Sequence, residues 1–201
     1  MDQATLDAYD SHAAEYAREW SSQSAPADMY QLIERYFEPG LTADVGCGSG
    51  RDAGWLAAQG YEVRGYDGSA GLIARARADH PALSFEQSLL PALPEAPSGA
   101  FRNVLCETVI MHLPATEVGP AVTRLVELLQ PGGVLYLSWR MTSGDDLRDQ
   151  NGRLYGAFDA EVVHDALAAD TTVLFEHEAL SESSGKRVRR VIAQRNPTLL
   201  P

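Results

Sequence analysis

Three glycines at alternate positions, Gly46, Gly48 and Gly50, follow the carboxylate Asp44 in the run ADVGCGSGRD. Glycines in that pattern let backbone amides approach a ligand closely, so their neighbours must say which ligand. A triphosphate loop needs Lys followed by Ser or Thr behind its last glycine, and Arg51-Asp52 stands there instead. A pyrophosphate is served by Gly-x-Gly-x-x-Gly at a helix N-terminus, whereas the spacing here is the tighter Gly-x-Gly-x-Gly. Asp44, two residues ahead of the first glycine, decides on charge. Opposite charges ~4 Å apart attract by about 4 kcal/mol at an effective dielectric near ~20, and like charges repel equally. The loop therefore favours a ligand with a positive group over a pyrophosphate.

Asp67, in YEVRGYDGS, lies 21 residues beyond Gly46. At that separation a neighbouring parallel strand brings an acid to the hydroxyls of a ribose. The competing role is a helix cap or Asx turn, because Gly68-Ser69 follow and a helix begins. A ligand that joins an ammonium, a sulfonium and a ribose suits both carboxylates, and S-adenosylmethionine has all three.

The elements that must position these residues alternate along the chain. Residues 2–20 carry Tyr9, Ala13, Tyr16 and Trp20 at helical spacing, which predicts a leader helix ended by SSQSAP. A second helix has the stripe Met29, Leu32, Ile33, Tyr36 and Phe37, closed by Pro39-Gly40. Strands at LTADV, YEVRGY, LSF, FRNVLCETVI and VLYLSW then take turns with helices at 51–58, across AGLIARARA and at 118–129. Connections this short predict a parallel sheet covered on both faces. A helix near 155–168 precedes TTVLFEHEALSE and RVRRVIAQR, joined by Ser183-Ser184-Gly185, a turn that makes these two strands antiparallel. The expected fold is a Rossmann-like α/β sandwich: a seven-stranded, mostly parallel sheet with one antiparallel strand near its edge. NPTLLP closes it as a short tail.

Bulk properties agree. At 201 residues and 45% apolar content the chain has the size of one ordinary globular domain. A net charge of −12 repels phosphate backbones and anionic membranes, so nucleic acid is an unfavoured partner. Two cysteines, Cys47 and Cys106, make no disulfide framework, and no Cys/His cluster has metal-ligand spacing. The acidic N-terminus lacks the basic patch and apolar run of a signal peptide, and no segment is apolar over eighteen residues. These features predict a cytoplasmic protein without a metal or a membrane span.

DVGCGSGRD, GYDGS and LLQPGGVLYLS, in this order and spacing, resemble a class I S-adenosylmethionine-dependent methyltransferase over nearly the whole chain. The resemblance implies one domain: residues 1–40 a helical cap, 41–140 a cofactor core, and 141–201 a substrate loop, helix and β-hairpin. It implies that Asp44, Gly46, Cys47, Gly48, Gly50 and Arg51 serve the methionyl part of the cofactor. Asp67, Gly68 and Ser69 would serve the ribose side, and Gln87, Ser88 and Leu89 the adenine. Gln87 and Ser88 stand where relatives carry an acid, and Gly68 offers the base little side chain. Glu107 ends the fourth strand, facing the amino group or the acceptor. Tyr9 and Tyr16 match the aromatics of a leader helix that folds over the cofactor.

Methyl transfer is an in-line displacement governed mainly by alignment, so a base is optional. His112, in VIMHLP, is the candidate base, with loop packing as its other role. Trp139 and Arg140 close the fifth strand, and with Tyr155 they are candidate substrate residues; Arg140 suits an anion unless Asp145 or Asp146 pairs with it. The run KRVRR from Lys186 fits a solvated strand end. The expected activity is methylation of a small molecule, leaving S-adenosylhomocysteine. A tRNA-base methyltransferase and a non-catalytic cofactor-binding module are the alternatives. The oligomeric state is open between monomer and homodimer.

Overall fold

The computed structural model describes residues 1–142 and 144–197. The expected leader helix is two helices, α1 (Gln3–Ser11) and α2 (Ala13–Ser22). They break at His12, which leaves helical geometry at φ −117° while its backbone N–H and its ring Nδ1 both bond the Ala8 carbonyl. Helix α3 (Ala27–Tyr36) follows, with Met29 and Ile33 fully buried.

Five parallel strands come next: β1 (Leu41–Val45), β2 (Glu62–Asp67), β3 (Ser84–Gln87), β4 (Phe101–Cys106) and β5 (Leu129–Arg140). Helices α4 (Arg51–Ala58), α5 (Ala70–Asp79) and α6 (Ala115–Leu128) join them. Helix α6 starts three residues earlier than its apolar stripe indicates. The expected helix from Tyr155 is corrected too. Tyr155 belongs to a two-stranded ribbon of β6 (Leu147–Arg148) and β7 (Leu154–Tyr155), and α7 (Ala160–Ala168) starts only where Asp159 caps the Glu161 amide at 3.0 Å. Strands β8 (Thr171–Leu180) and β9 (Arg187–Arg195) complete the sheet. The tail expected at NPTLLP lies outside the described residues from Thr198 onward.

The sheet order is β3-β2-β1-β4-β5-β9-β8. Within this sheet only β9 runs against its neighbours, pairing antiparallel with both β5 and β8; the reversed strand lies near the edge, as expected, and is second from it. The order changes direction between β1 and β4, and the crevice beyond their carboxyl ends is where such sheets bind ligands. Both sheet faces are buried by alternation: Val104, Cys106, Leu135 and Leu137 point into one core with α6 and α7, while Leu105, Val134 and Tyr136 point into the other with α3, α4 and α5. Among the described residues no helix is long and apolar enough to cross a membrane.

Candidate active site

The glycine loop is shaped by its own backbone. Gly46, Gly48 and Gly50 all take positive φ (77°, 54° and 87°), a region that L-residues with a Cβ avoid. The Gly46 and Cys47 amides both bond the Tyr66 carbonyl, at 2.7 and 3.0 Å, which ties the loop to the neighbouring strand. Space adds a second constraint. A Cβ on Gly46 would lie 2.2 Å from Val109 Cγ2, and one on Gly48 would lie 2.8 Å from the Trp20 ring.

Asp67 faces this loop across the crevice. Its Oδ2 accepts the Gly48 amide at 2.9 Å and its Oδ1 accepts the Ser69 amide at 2.8 Å. The Gly68 amide also reaches the carboxylate, whose remaining acceptor capacity faces the cavity. Burial raises its pKa, and the backbone amides pull the other way. Asp44 is more deeply placed. It is 3% exposed, and its Oδ2 is buried with no hydrogen-bond partner. Desolvation pushes its pKa well up, reinforced by the Asp52 carboxylate. An orphaned buried carboxylate oxygen behind a glycine loop is a polar atom lacking a cationic or hydrogen-bonding counterpart.

These groups border a cavity of about 410 Å³, in the range of small-molecule sites. Of the residues singled out from sequence, Gly46, Cys47, Gly48, Arg51, Asp67 and Gly68 line it on the loop side. Ser88, Leu89 and Glu107 line it as well, as do Tyr9, His112, Tyr155 and Arg140, which contact one another in turn. Leu89 explains Gly68: a Cβ there would lie 2.4 Å from Leu89 Cδ2, so the leucine fills the space a larger residue at 68 would take.

The other expected residues stand behind the wall. Gln87 braces it by donating Nε2 to the Gly68 carbonyl at 2.9 Å. Ser69 caps α5, accepting the Leu72 amide and donating to Asp10 Oδ1. Gly50 precedes α4 beside His80 and Phe85. Tyr16 stacks on Trp20 and accepts from Asn151 Nδ2 at 2.7 Å. Trp139 requires correction as a substrate residue. Its place in β5 turns it into the core, 3% exposed and 5.9 Å from the Phe158 ring.

His112 is engaged at both nitrogens. The Leu154 carbonyl can only accept, so Nδ1 carries the proton and Nε2 accepts the Tyr9 hydroxyl at 3.0 Å. Desolvation lowers its pKa to about 4, which leaves a neutral imidazole at pH 7. Glu107 is likewise held, accepting Ser138 Oγ, with Tyr136 bonded to it and Arg190 Nε donating to Tyr136 Oη at 3.0 Å. Burial raises its pKa.

Sequence reasoning missed Arg153. Its guanidinium lies 4.6 Å from the Tyr16 ring centre and 5.3 Å from that of Tyr9, and it pairs with Asp149 at 2.7 Å. Only its place in the loop flagged after Arg140 hinted at it. Ser183, Ser184 and Lys186, in the β8–β9 turn, also line the cavity. Arg140 has neither of its suspected partners: among the described residues no carboxylate pairs with it, and it lies 4.6 Å over the Tyr155 ring.

Residues 43–133 match the family model described as a methyltransferase domain. Over these residues the chain is similar to methyltransferase domains, and its fold is the one shared by S-adenosylmethionine-dependent methyltransferases of known structure. Among its relatives is a trans-aconitate 2-methyltransferase of Deinococcus radiodurans, 37% identical over 119 residues, covering 57% of this chain and 43% of that protein. Another of the same name, from Methylobacterium radiotolerans, is 31% identical over 166 residues, covering 82% of this chain and 61% of its own. The chain spans about half the length of the curated relatives it matches. In fold it resembles the 1,6-didemethyltoxoflavin-N1-methyltransferase of Burkholderia thailandensis, crystallised with S-adenosylhomocysteine, at a TM-score of 0.76 and 19% identity over 96% of this chain and 88% of that one. It also resembles the magnesium protoporphyrin IX methyltransferase of Synechocystis, at 0.71 and 19% over 98% of each chain.

Proposed function

We propose that this protein binds S-adenosylmethionine and transfers its methyl group to a small-molecule acceptor. The observation that carries the reading is Asp67: a carboxylate in the cavity wall, fixed by backbone amides, with acceptor capacity left for a ligand. Two vicinal hydroxyls are the matching donors. Asp44 fits the same ligand. Its orphaned Oδ2 lies behind the loop rather than on the cavity wall, so its field reaches an ammonium through the loop or through a bridging water. Cofactor complexes are recorded for the structures this fold resembles, and small-molecule names such as trans-aconitate 2-methyltransferase among the relatives support a small acceptor.

When bound, the cofactor supplies a methyl group on a sulfonium that already carries a good leaving group. The chain supplies alignment and dryness. Asp67 holds the sugar, the positive-φ glycines bring backbone to the amino-acid tail, and Leu89 and Ser88 flank the base. Trp20, laid over Gly48, and Tyr9, bonded to His112, close the cavity from the leader helices and exclude water.

Calorimetry with S-adenosylhomocysteine and with NAD tests this. Micromolar binding of the former and none of the latter is expected, and comparable affinity for NAD sinks the reading. Conversion of S-adenosylmethionine to S-adenosylhomocysteine with an acceptor separates an enzyme from a binding module.

A further inference from the structure

The cations that line the cavity are unevenly paired. Four arginine and lysine side chains line the cavity: Arg51, Arg140, Arg153 and Lys186. Arg51 is taken by Asp52 at 2.9 Å and Arg153 by Asp149 at 2.7 Å. Arg140 and Lys186 have no carboxylate partner among the described residues, although the chain carries 28 acidic side chains against 16 basic ones. The two stand on adjoining elements: Arg140 is paired in register with Val188 of β9, and Lys186 lies just before that strand. Tyr155 supports Arg140 from one side by stacking at 4.6 Å, which orients the guanidinium fork without neutralising it. Ser183 and Ser184 add hydroxyls beside Lys186.

The same cavity offers little to a nucleophile that must lose a proton: of its lining carboxylates, Glu107 is held by Ser138 and Tyr136, Asp67 by backbone amides and Asp52 by Arg51. Its one imidazole, His112, gives Nδ1–H to Leu154 and receives Tyr9 at Nε2. Burial depresses its basicity further, to a pKa of about 4. A nucleophile that arrives ionised avoids the need for a base, and a planar carboxylate is the anion that an arginine fork grips at two points.

We propose that the acceptor is an organic carboxylate, gripped by Arg140 beside Tyr155 with Lys186 taking a further anionic group, and methylated on a carboxylate oxygen. This rests on the methyltransferase reading above. In the transfer, a carboxylate oxygen gives an electron pair to the methyl carbon, and the carbon–sulfur bond breaks with its pair retained on sulfur. The carboxylate becomes a methyl ester, the sulfonium becomes a neutral thioether, and no proton moves. Arg140 takes one lone pair of each oxygen, so the attacking oxygen reacts through its other one.

The full chain, saturated with S-adenosylhomocysteine, is titrated by calorimetry with matched probes: benzoate, benzamide and benzyl alcohol; glutarate, glutaramide and 1,5-pentanediol; and citrate, with phenylphosphonate as a non-carboxylate anion. At least one carboxylate is expected to bind about tenfold or more tighter than its amide or alcohol. Transfer from radiolabelled S-adenosylmethionine to that carboxylate should give a product that releases methanol in mild alkali. Arg140→Gln should lower kcat/KM for it by about 30-fold or more, with S-adenosylhomocysteine affinity kept within about twofold, and Arg140→Lys should recover part of the loss. Failure of every carboxylate to bind the complex overturns the proposal. So does preference for an amide, an alcohol or the phosphonate, an alkali-stable product, or undiminished carboxylate affinity in Arg140→Gln. Failure of S-adenosylhomocysteine itself to bind overturns the methyltransferase reading, and this inference with it.

Discussion

The two walls of the cavity are built by different means. The wall proposed for the cofactor, from Gly46 to Asp67, is set by backbone: three glycines at positive φ, two amides on one carbonyl, and a carboxylate held by two more amides. The wall proposed for the acceptor is assembled from side chains brought from remote parts of the chain. Tyr9 meets His112, Tyr16 meets Asn151, and Thr5 Oγ1 accepts the Leu154 amide at 2.8 Å, across 103, 135 and 149 residues. A wall fixed by local backbone tolerates few residue types at each position. A wall fixed by long-range side-chain pairs can change its occupants while the fold stays the same.

The largest expected effect breaks the first wall alone. Asp67→Ala removes two charge-assisted acceptors for the ribose, worth about 3 kcal/mol together, or roughly 100-fold in Kd. Calorimetry with S-adenosylhomocysteine reads this directly. A loss below about threefold would show that the glycine loop, not the carboxylate, carries the affinity, and the contrast between the walls would need redrawing.

That contrast also explains what the sequence revealed. Gly46, Gly48, Gly50 and Asp67 were legible because their spacing is local and their demands are conformational; the parallel sheet and the reversed strand were legible because apolar runs and a three-residue turn encode them. Arg153, Lys186 and the serines of the β8–β9 turn were not. Nothing in GRLYG says that Arg153 will lie among Tyr9, Tyr16 and Tyr155, since those contacts exist only after the leader helices have docked. Trp139 was misplaced for a related reason. Position on a strand end is visible in sequence, but the face it turns to depends on register, and register put it in the core. Helix boundaries failed where capping prevailed over periodicity, at His12 and Asp159.

A second, smaller effect probes the seam between the leader helices and the acceptor wall. His112 is buried and neutral, its folded pKa near 4 against an unfolded value near ~6.5. Above pH ~6.5 neither state takes the proton and stability is unaffected. As pH falls, the unfolded chain is protonated first, so stability falls by about 1.4 kcal/mol per pH unit until pH ~4, where both states are charged. His112→Gln preserves a donor for Leu154 and an acceptor for Tyr9 but does not titrate. The unfolding free energy of the wild type should therefore fall relative to the variant by about 2 kcal/mol between pH 6.5 and pH 5. Denaturant melts at the two pH values measure this, and a pH-independent difference would mean that the seam is open and the imidazole hydrated in solution.

The smallest effect sharpens the comparison most. Tyr16 is buried and does not border the cavity, yet its hydroxyl is the acceptor that holds Asn151. Tyr16→Phe keeps the stack on Trp20 and deletes one hydrogen bond, so stability should drop by about 1 kcal/mol and Tm by roughly 2–4 °C. Affinity for S-adenosylhomocysteine should change by less than about twofold, because the backbone-built wall is untouched. If affinity instead falls as far as in Asp67→Ala, the leader helices are part of the cofactor wall rather than of its partner. The two walls would then form one cooperative unit, in which a single side-chain bond on one side sets the grip of the other.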